Sequence, residues 1–247
     1  MEIRRLTSDA GDTLRSLARR SLEASYTEVL DEAVISEAVE NWYGGEAIEE
    51  YLDSDEMLFL LAEDRGELVG FSQSHVLEDI NKGRILWLHV DPDHRTQGTG
   101  ETLLAETRGA LHDRGIDAVT AVVLKEHQPG VDFYERYGFE PLATRRVTIG
   151  GEEYEEFVLR EPGIEYDPLE MRLTPDGQEV FIDFDESDRG SDGPFCAVFL
   201  GPRRERRWGW FCTNCESFST SMDTMGRIQC EDCGNTRRPT RWDASYL

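Results

Sequence analysis

The chain has 247 residues, enough for one large domain or two small ones. Its formal charge is −25, and of its 26 basic residues only Lys82 and Lys125 are lysines. No apolar run approaches the ~20 residues of a membrane span, and the opening Met-Glu-Ile-Arg-Arg-Leu lacks the apolar core of a signal peptide. A cytoplasmic protein with no membrane partner is expected.

Glu2 to Leu6 alternates as a short strand, and Ser8 or Asp9 is placed to cap the next helix, where Leu14, Leu17, Ala18 and Leu22 share a face. Residues 26–56 read as helical and acid-rich, interrupted at Trp42-Tyr43-Gly44-Gly45. A strand over Met57 to Ala62 turns at Asp64-Arg65-Gly66 into a second, Leu68 to Val76. Ile85 to Val90 is an apolar strand stopped at Asp91-Pro92. A polar turn leads into a helix marked by Leu103, Leu104 and Leu111 and ended by Gly115. Val119 to Leu124 is a buried strand and Val131 to Tyr137 a short helix stopped by Gly138. Strands near Glu140–Val147 and Tyr154–Leu159 follow. The order is β-α-α-β-β-β-α-β-α-β-β.

Glu161 to Pro168 reads as a linker. Beyond it, strands are expected at Val180–Phe184, Phe195–Leu200 and Arg206–Cys212. The domains are placed at 1–161 and 171–247, with 162–170 between them. Charge follows this division: up to residue 161 there are 35 acidic and 16 basic residues, and from residue 201 there are 6 and 8. Acid excess with so little lysine resembles the cytoplasmic proteins of extreme halophiles, where concentrated salt screens self-repulsion.

The stretch with the most chemistry runs from Val90-Asp91-Pro92 to Arg95-Thr96-Gln97-Gly98-Thr99-Gly100. Gly98 and Gly100 put no Cβ in a ligand's way. The first-turn amides of the following helix, with the positive end of its dipole behind them, make an anion cradle. No Gly-Lys-Ser/Thr phosphate loop occurs, and Leu103 stands where a dinucleotide fingerprint needs its third small residue. Val-x-Pro followed by Arg-x-x-Gly-x-Gly resembles the acetyl-CoA pyrophosphate loop of the GNAT acetyltransferases. Phe133-Tyr134-Glu135-Arg136-Tyr137-Gly138-Phe139 resembles that family's Phe-Tyr-x-x-x-Gly-Phe. The element order up to residue 161 is similar to the family's as well.

This resemblance implies an α/β GNAT fold, a mixed, mostly antiparallel central sheet flanked by helices. It implies transfer of acetyl from acetyl-CoA to a primary amine of a small molecule or protein, by direct attack. The pyrophosphate would lie on Arg95, Thr96, Gln97, Gly98, Thr99 and Gly100. The pantetheine arm would run along Leu88, His89 and Val90, where one amide serves as oxyanion donor. His127 stands at the family's asparagine position and would bond the arm, and Tyr134 would protonate the departing thiolate. Strict alternation along the central strand places Ile85, Trp87 and His89 on one face and Leu86, Leu88 and Val90 on the other. His89 is then a candidate base, with Glu126 or a water chain as alternatives. Many family members carry a glutamate on the central strand or the next; neither Ile85–Val90 nor Val119–Leu124 has one. The acidic early helices suit a cationic acceptor, such as a polyamine or a protein N-terminus, or a salt-adapted surface.

Cys212-Thr213-Asn214-Cys215 and Cys230-Glu231-Asp232-Cys233 can supply four thiolates to one structural zinc, making the second domain small, β-rich and zinc-ribbon-like. Two redox dithiols are the other reading. Gly234 lets the backbone fold around the sulfurs, and Cys196 reads as a core residue. Arg203, Arg204, Arg206 and Arg207 precede Trp208 and Trp210; Arg237, Arg238 and Arg241 precede Trp242. These arginines could bind an acidic or nucleic-acid partner, offset the charge of a tetrathiolate, or dock on the acidic neighbour domain. Residues 168–247 resemble a zinc-ribbon-like extension of haloarchaeal proteins, which implies no function. Two functions stand at this point: an N-acetyltransferase carrying a structural zinc ribbon, and a CoA-sensing zinc-ribbon adaptor without turnover.

Overall fold

The computed structural model describes residues 1–77, 81–149, 152–162, 169–223 and 227–237. Its chain divides into two compact units on either side of segment 163–168. Most of the expected linker lies outside the described residues, as do Arg238, Arg241 and Trp242.

The first unit runs β1 (Glu2–Arg5), α1 (Gly11–Tyr26), α2 (Glu32–Tyr43), α3 (Gly45–Asp53), β2 (Met57–Asp64), β3 (Glu67–Leu77) and β4 (Lys82–Val90). It continues with α4 (Thr99–Asp113), β5 (Ala118–Leu124), α5 (Gln128–Arg136), β6 (Glu140–Ile149) and β7 (Glu152–Arg160). The expected mixed, mostly antiparallel sheet forms, in the order β1-β2-β3-β4-β5-β7-β6, and β4–β5 is its parallel pair. One helix more is present than the expected order holds. Gly44, extended at φ −69° and ψ 166°, ends α2 and starts α3, splitting the acid-rich helical stretch in two. The expected cap at Ser8 or Asp9 does not form. Ser8–Ala10 makes a 3-10 turn, and Ala10 precedes α1 without a side-chain cap.

Each face of the sheet carries a core. Leu14, Leu17, Ala18 and Leu22 of α1 and Ile35, Val39 and Trp42 of α2 recur at helical spacing and pack on Phe59, Phe71, Leu86 and Trp87. Leu103, Leu104 and Leu111 of α4 and Val131 and Tyr134 of α5 cover Leu58, Leu60, Ile85 and Val123 on the other face. Helix α5 ends in a Schellman motif. Gly138, at φ +88°, donates its amide to Glu135 O at 3.0 Å, and Phe139 donates to Tyr134 O at 3.0 Å. The Phe139 ring lies 5.3 Å from that of Tyr134, the apolar clasp that accompanies this motif. Gly115 ends α4 in the same way.

The second unit is a four-stranded antiparallel sheet of β8 (Leu169–Leu173), β9 (Glu179–Asp188), β10 (Phe195–Phe199) and β11 (Arg207–Cys212), in the order β11-β10-β9-β8. A hairpin of β12 (Thr220–Met222) and β13 (Ile228–Cys230) follows. Strand β8 begins at Leu169, inside the expected linker, and neither β8 nor the hairpin strands were expected. Their Glu-Met-Arg and Thr-Ser-Met stretches carry little apolar alternation.

Gly138→Ala forces a Cβ into the left-handed region and is expected to lower stability by roughly 1 kcal/mol. Urea unfolding of the two proteins side by side measures the difference.

Candidate functional site

Strand β4 pairs with β3 along its whole length, from Lys82–Leu77 to Val90–Gly70, with one irregularity. Gln73 faces Trp87 and Ser74 faces Ile85, so Leu86 has no opposite residue. This bulge corrects the expected faces. Leu86, Trp87 and His89 turn toward α1, whereas Ile85, Leu88 and Val90 join the core under α4. An extra residue shifts the two-residue alternation by one step.

Pairing with β5 covers Lys82–Ile85 against Ala118–Ala121 and stops there, while β5 stays paired with β7 up to Leu124. Beyond the bulge the two strands therefore part. A cleft of about 350 Å³ lies between them, bordered by Leu86–Val90 and by Val122 and Val123. Ser21, Ser25 and Tyr26 of α1 and Phe133 and Tyr134 of α5 line it too, together with Arg95, Thr96, Gly98 and Gly100 of the loop.

The loop is held from below. Asp91 is buried; its Oδ1 accepts from the Asp93 amide at 3.0 Å and its Oδ2 from Arg20 Nε at 3.0 Å. Burial pushes this carboxyl up, but the Arg20 hydrogen bond, the Asp93 amide and the Arg20 charge outweigh it and leave the pKa below the usual value. Thr96 at φ +66° and Gly98 at φ +85° then reverse the chain, and α4 starts at Thr99 without a side-chain cap, so its first-turn amides are left for a ligand. Gly100 lines the cleft, and it also makes room for a neighbour. A Cβ there would sit 3.2 Å from the Phe133 ring, so its small size admits α5.

Arg95 turns inward. Its Nη2 donates to Ser25 Oγ at 2.9 Å and to Ser21 Oγ at 3.4 Å, and its Nε donates to Val90 O at 3.3 Å. His89 is 5% exposed, with Nδ1 2.9 Å from Ser21 Oγ and the rings of Trp87 and Phe71 at 5.0 and 5.2 Å. Its Nε2 is shielded from solvent. His127 stands at the N-terminus of α5 with its ring 4.7 Å from Tyr26. Tyr134 is buried between Phe133 and Phe139. The expected residues Leu88, His89, Val90, Arg95, Thr96, Gly98, Gly100, His127 and Tyr134 thus border one cleft; Gln97 and Thr99 belong to its loop.

Sequence reasoning missed Ser21, Ser25 and Tyr26. Ser21 and Ser25 form a polar notch at i and i+4 beside the apolar stripe of α1, and that notch was the available signal. Glu126, the alternative base, lies beside His127 in the chain, and its charge acts on Tyr154 of β7. The Tyr154 hydroxyl lies 3.2 Å from both Val29 O and Glu152 Oε2, either of which can accept its one proton. Burial raises its pKa, as do the Glu152 hydrogen bond and the charges of Glu152, Asp31 and Glu126.

In the second unit the Sγ atoms of Cys212, Cys215, Cys230 and Cys233 all lie within 4.8 Å of one another, with Cys215–Cys230 at 3.5 Å and Cys212–Cys233 at 3.7 Å. Two tight turns bring them together: Cys212 and Ser217 exchange backbone hydrogen bonds, and Gly234, at φ +79°, donates to Cys230 O. Asn235 Nδ2 donates to Cys212 Sγ at 3.3 Å and Asn214 Nδ2 to Cys233 Sγ at 3.4 Å. Cys196 is buried on β10, outside the cluster. Three of the arginines turn to carboxylates of β9, Arg204 to Asp183, Arg207 to Glu186 and Arg237 to Asp188, whereas Arg203 and Arg206 are exposed.

Asp91→Asn is expected to cost roughly 1–2 kcal/mol at neutral pH. Because the folded carboxyl titrates below its unfolded value, that advantage is whole above about pH 4 and is lost as pH falls through the lower folded value. Denaturant unfolding of both proteins across this range should show their stabilities converging at low pH.

Comparison with known proteins agrees with this geometry. Residues 176–247 match a family of unknown function (DUF5816). The spermidine N(1)-acetyltransferase of Thermoplasma acidophilum is 28% identical over 144 residues, 57% of this chain and 88% of that protein. An acetyltransferase of Pectobacterium atrosepticum is 30% identical over 103 residues, 42% of this chain and 70% of that one. The crystal structure of the PaiA N-acetyltransferase from Thermoplasma acidophilum in complex with coenzyme A superposes with a TM-score of 0.57 at 26% identity, covering 65% of this chain and 97% of that one. The acetyltransferase (GNAT) domain profile matches residues 23–151, more than half of the sequence and a span that includes β4, the glycine loop and α5, and this chain belongs to the GNAT acetyltransferase family.

Proposed function

We propose that this protein transfers the acetyl group of acetyl-CoA to a primary amine, with the coenzyme in the cleft between β4 and β5. The observation that carries this reading is the unpaired edge of Leu86–Val90 beside an uncapped helix N-terminus. The amides from Arg95 to Gly100 take the pyrophosphate. The pantetheine arm pairs with Leu88, His89 and Val90 like an added strand, His127 bonds the arm, and a main-chain amide of that edge receives the oxyanion. The amine nitrogen attacks the thioester carbon, the C–S bond breaks, the leaving sulfur takes the Tyr134 proton, and the extra proton on nitrogen passes to the Tyr134 phenolate to leave the neutral amide. The ammonium first gives its proton to His89, whose ring borders the cleft. Proximity supplies much of the rate.

The acceptor is a small cationic amine. The relative named as a spermidine acetyltransferase supports this class, as do the carboxylates of Asp31, Glu126 and Glu152 acting on Tyr154, Glu126 being the chain neighbour of His127. The charge of −25 with two lysines supports work in concentrated salt. The adaptor reading gains little from Arg204, Arg207 and Arg237, which face their own unit's acids, although Arg203 and Arg206 are exposed.

In the second unit Cys212, Cys215, Cys230 and Cys233 hold one structural zinc. Zn–S bonds near 2.3 Å in a tetrahedron separate the sulfurs by about 3.8 Å, and the observed spacings of 3.5 and 3.7 Å suit it. The amides of Asn214 and Asn235 act as outer donors to two thiolates. With four sulfur ligands the metal keeps no open position and supplies fold, not chemistry.

Acetyl-CoA turnover against a panel of amines in molar KCl tests the activity. Tyr134→Phe is expected to lower kcat roughly 10²-fold with little change in the acetyl-CoA KM, because the ring and its packing remain. Metal analysis is expected to find about one zinc per chain and almost none in Cys230→Ser, with loss of the second unit's near-UV circular dichroism.

A further inference from the structure

The hydroxyl of Ser21 is fully buried and has three polar neighbours: Val90 O at 3.3 Å, Arg95 Nη2 at 3.4 Å and His89 Nδ1 at 2.9 Å. A serine hydroxyl has one proton to give and two lone pairs to offer. A carbonyl oxygen only accepts, so a Ser21–Val90 hydrogen bond uses the Ser21 proton. A guanidinium only donates, so Arg95 occupies one lone pair. The second lone pair faces Nδ1, and the three contacts close only when Nδ1 carries a proton and donates it. We infer that Ser21 is a positioning residue that holds His89 as the Nδ1–H tautomer, with its lone pair on Nε2.

Three elements meet in this arrangement. Ser21 comes from α1, His89 and Val90 from β4, and Arg95 from the loop between β4 and α4. The Arg95 guanidinium also reaches Ser25 and the Val90 carbonyl, which fixes the Ser21 hydroxyl's surroundings from the loop side. A neutral ring with a fixed tautomer is what a general base needs: the ammonium N–H bond breaks, the Nε2–H bond forms, and Nδ1–H stays on Ser21 throughout. This catalytic consequence rests on the base role proposed for His89; the tautomer assignment does not.

Long-range ¹H–¹⁵N spectra of the zinc-loaded full chain, labelled at histidine, read the tautomer directly, and His89→Gln identifies the resonances. The wild type should show a protonated Nδ1 and an unprotonated Nε2. Ser21→Thr, which keeps a hydroxyl, should match it, and Ser21→Ala should give a tautomer mixture. A wild-type ring protonated at Nε2, or a Ser21→Ala spectrum like the wild type's, overturns the inference. In turnover, Ser21→Ala is expected to lose about tenfold in kcat with a displaced pH profile and an unchanged acetyl-CoA KM, and Ser21→Thr to restore both. Full activity in His89→Gln would remove the base role while the spectra still decide the tautomer. Loss in His89→Gln together with an unaltered Ser21→Ala profile would overturn Ser21 alone.

Discussion

Everything in the first unit depends on one break in hydrogen bonding. Strand β4 keeps β3 as its partner to the end, but it loses β5 after Ile85, directly before the unmatched Leu86. A bulge bends and over-twists its strand, and β5 follows β7 instead. The two halves of the sheet therefore diverge. An unpaired strand edge inside a protein would be costly if it stayed without partners. Here it borders a cleft, where a ligand can supply them.

The surrounding elements brace that opening. Asp91, gripped by Arg20 and the Asp93 amide, sets the direction of the loop, and Arg95 ties the same loop to Ser21 and Ser25 of α1. On the far side, the Schellman end of α5 clasps Phe139 against Tyr134, which explains why a glycine and a phenylalanine follow the tyrosine at that spacing. In the second unit, two tight turns gather four sulfurs within 4.8 Å of one another beside a sheet whose Val180, Ile182, Phe195, Val198 and Phe211 are buried.

The strand-loop-helix segment and the Phe-Tyr motif were legible because each is local: an apolar run, a proline stop, glycines at fixed offsets. The cysteine spacing was legible for the same reason. What the residues alone hid was set by tertiary pairing. The bulge at Leu86 moved Trp87 and His89 to the face opposite Ile85, since nothing in Ile-Leu-Trp-Leu-His-Val marks where β3 skips a residue. Gly100 was read toward a ligand, and its second constraint, the close approach of Phe133 thirty-three positions later in the chain, was not visible. Of the four arginines before Trp208, the fold places β9 carboxylates against Arg204 and Arg207 and leaves Arg203 and Arg206 exposed, a division the sequence does not mark. Ser21 was visible only as a polar break in an apolar helix face, and its meaning came from two residues about seventy positions away.

The most direct test is amide hydrogen exchange of the zinc-loaded chain in molar KCl, with and without saturating coenzyme A. The cleft account predicts new protection concentrated at Leu88–Val90 and Arg95–Gly100, the main chain that would gain partners. Saturable coenzyme binding that leaves both stretches exchanging as before would contradict it.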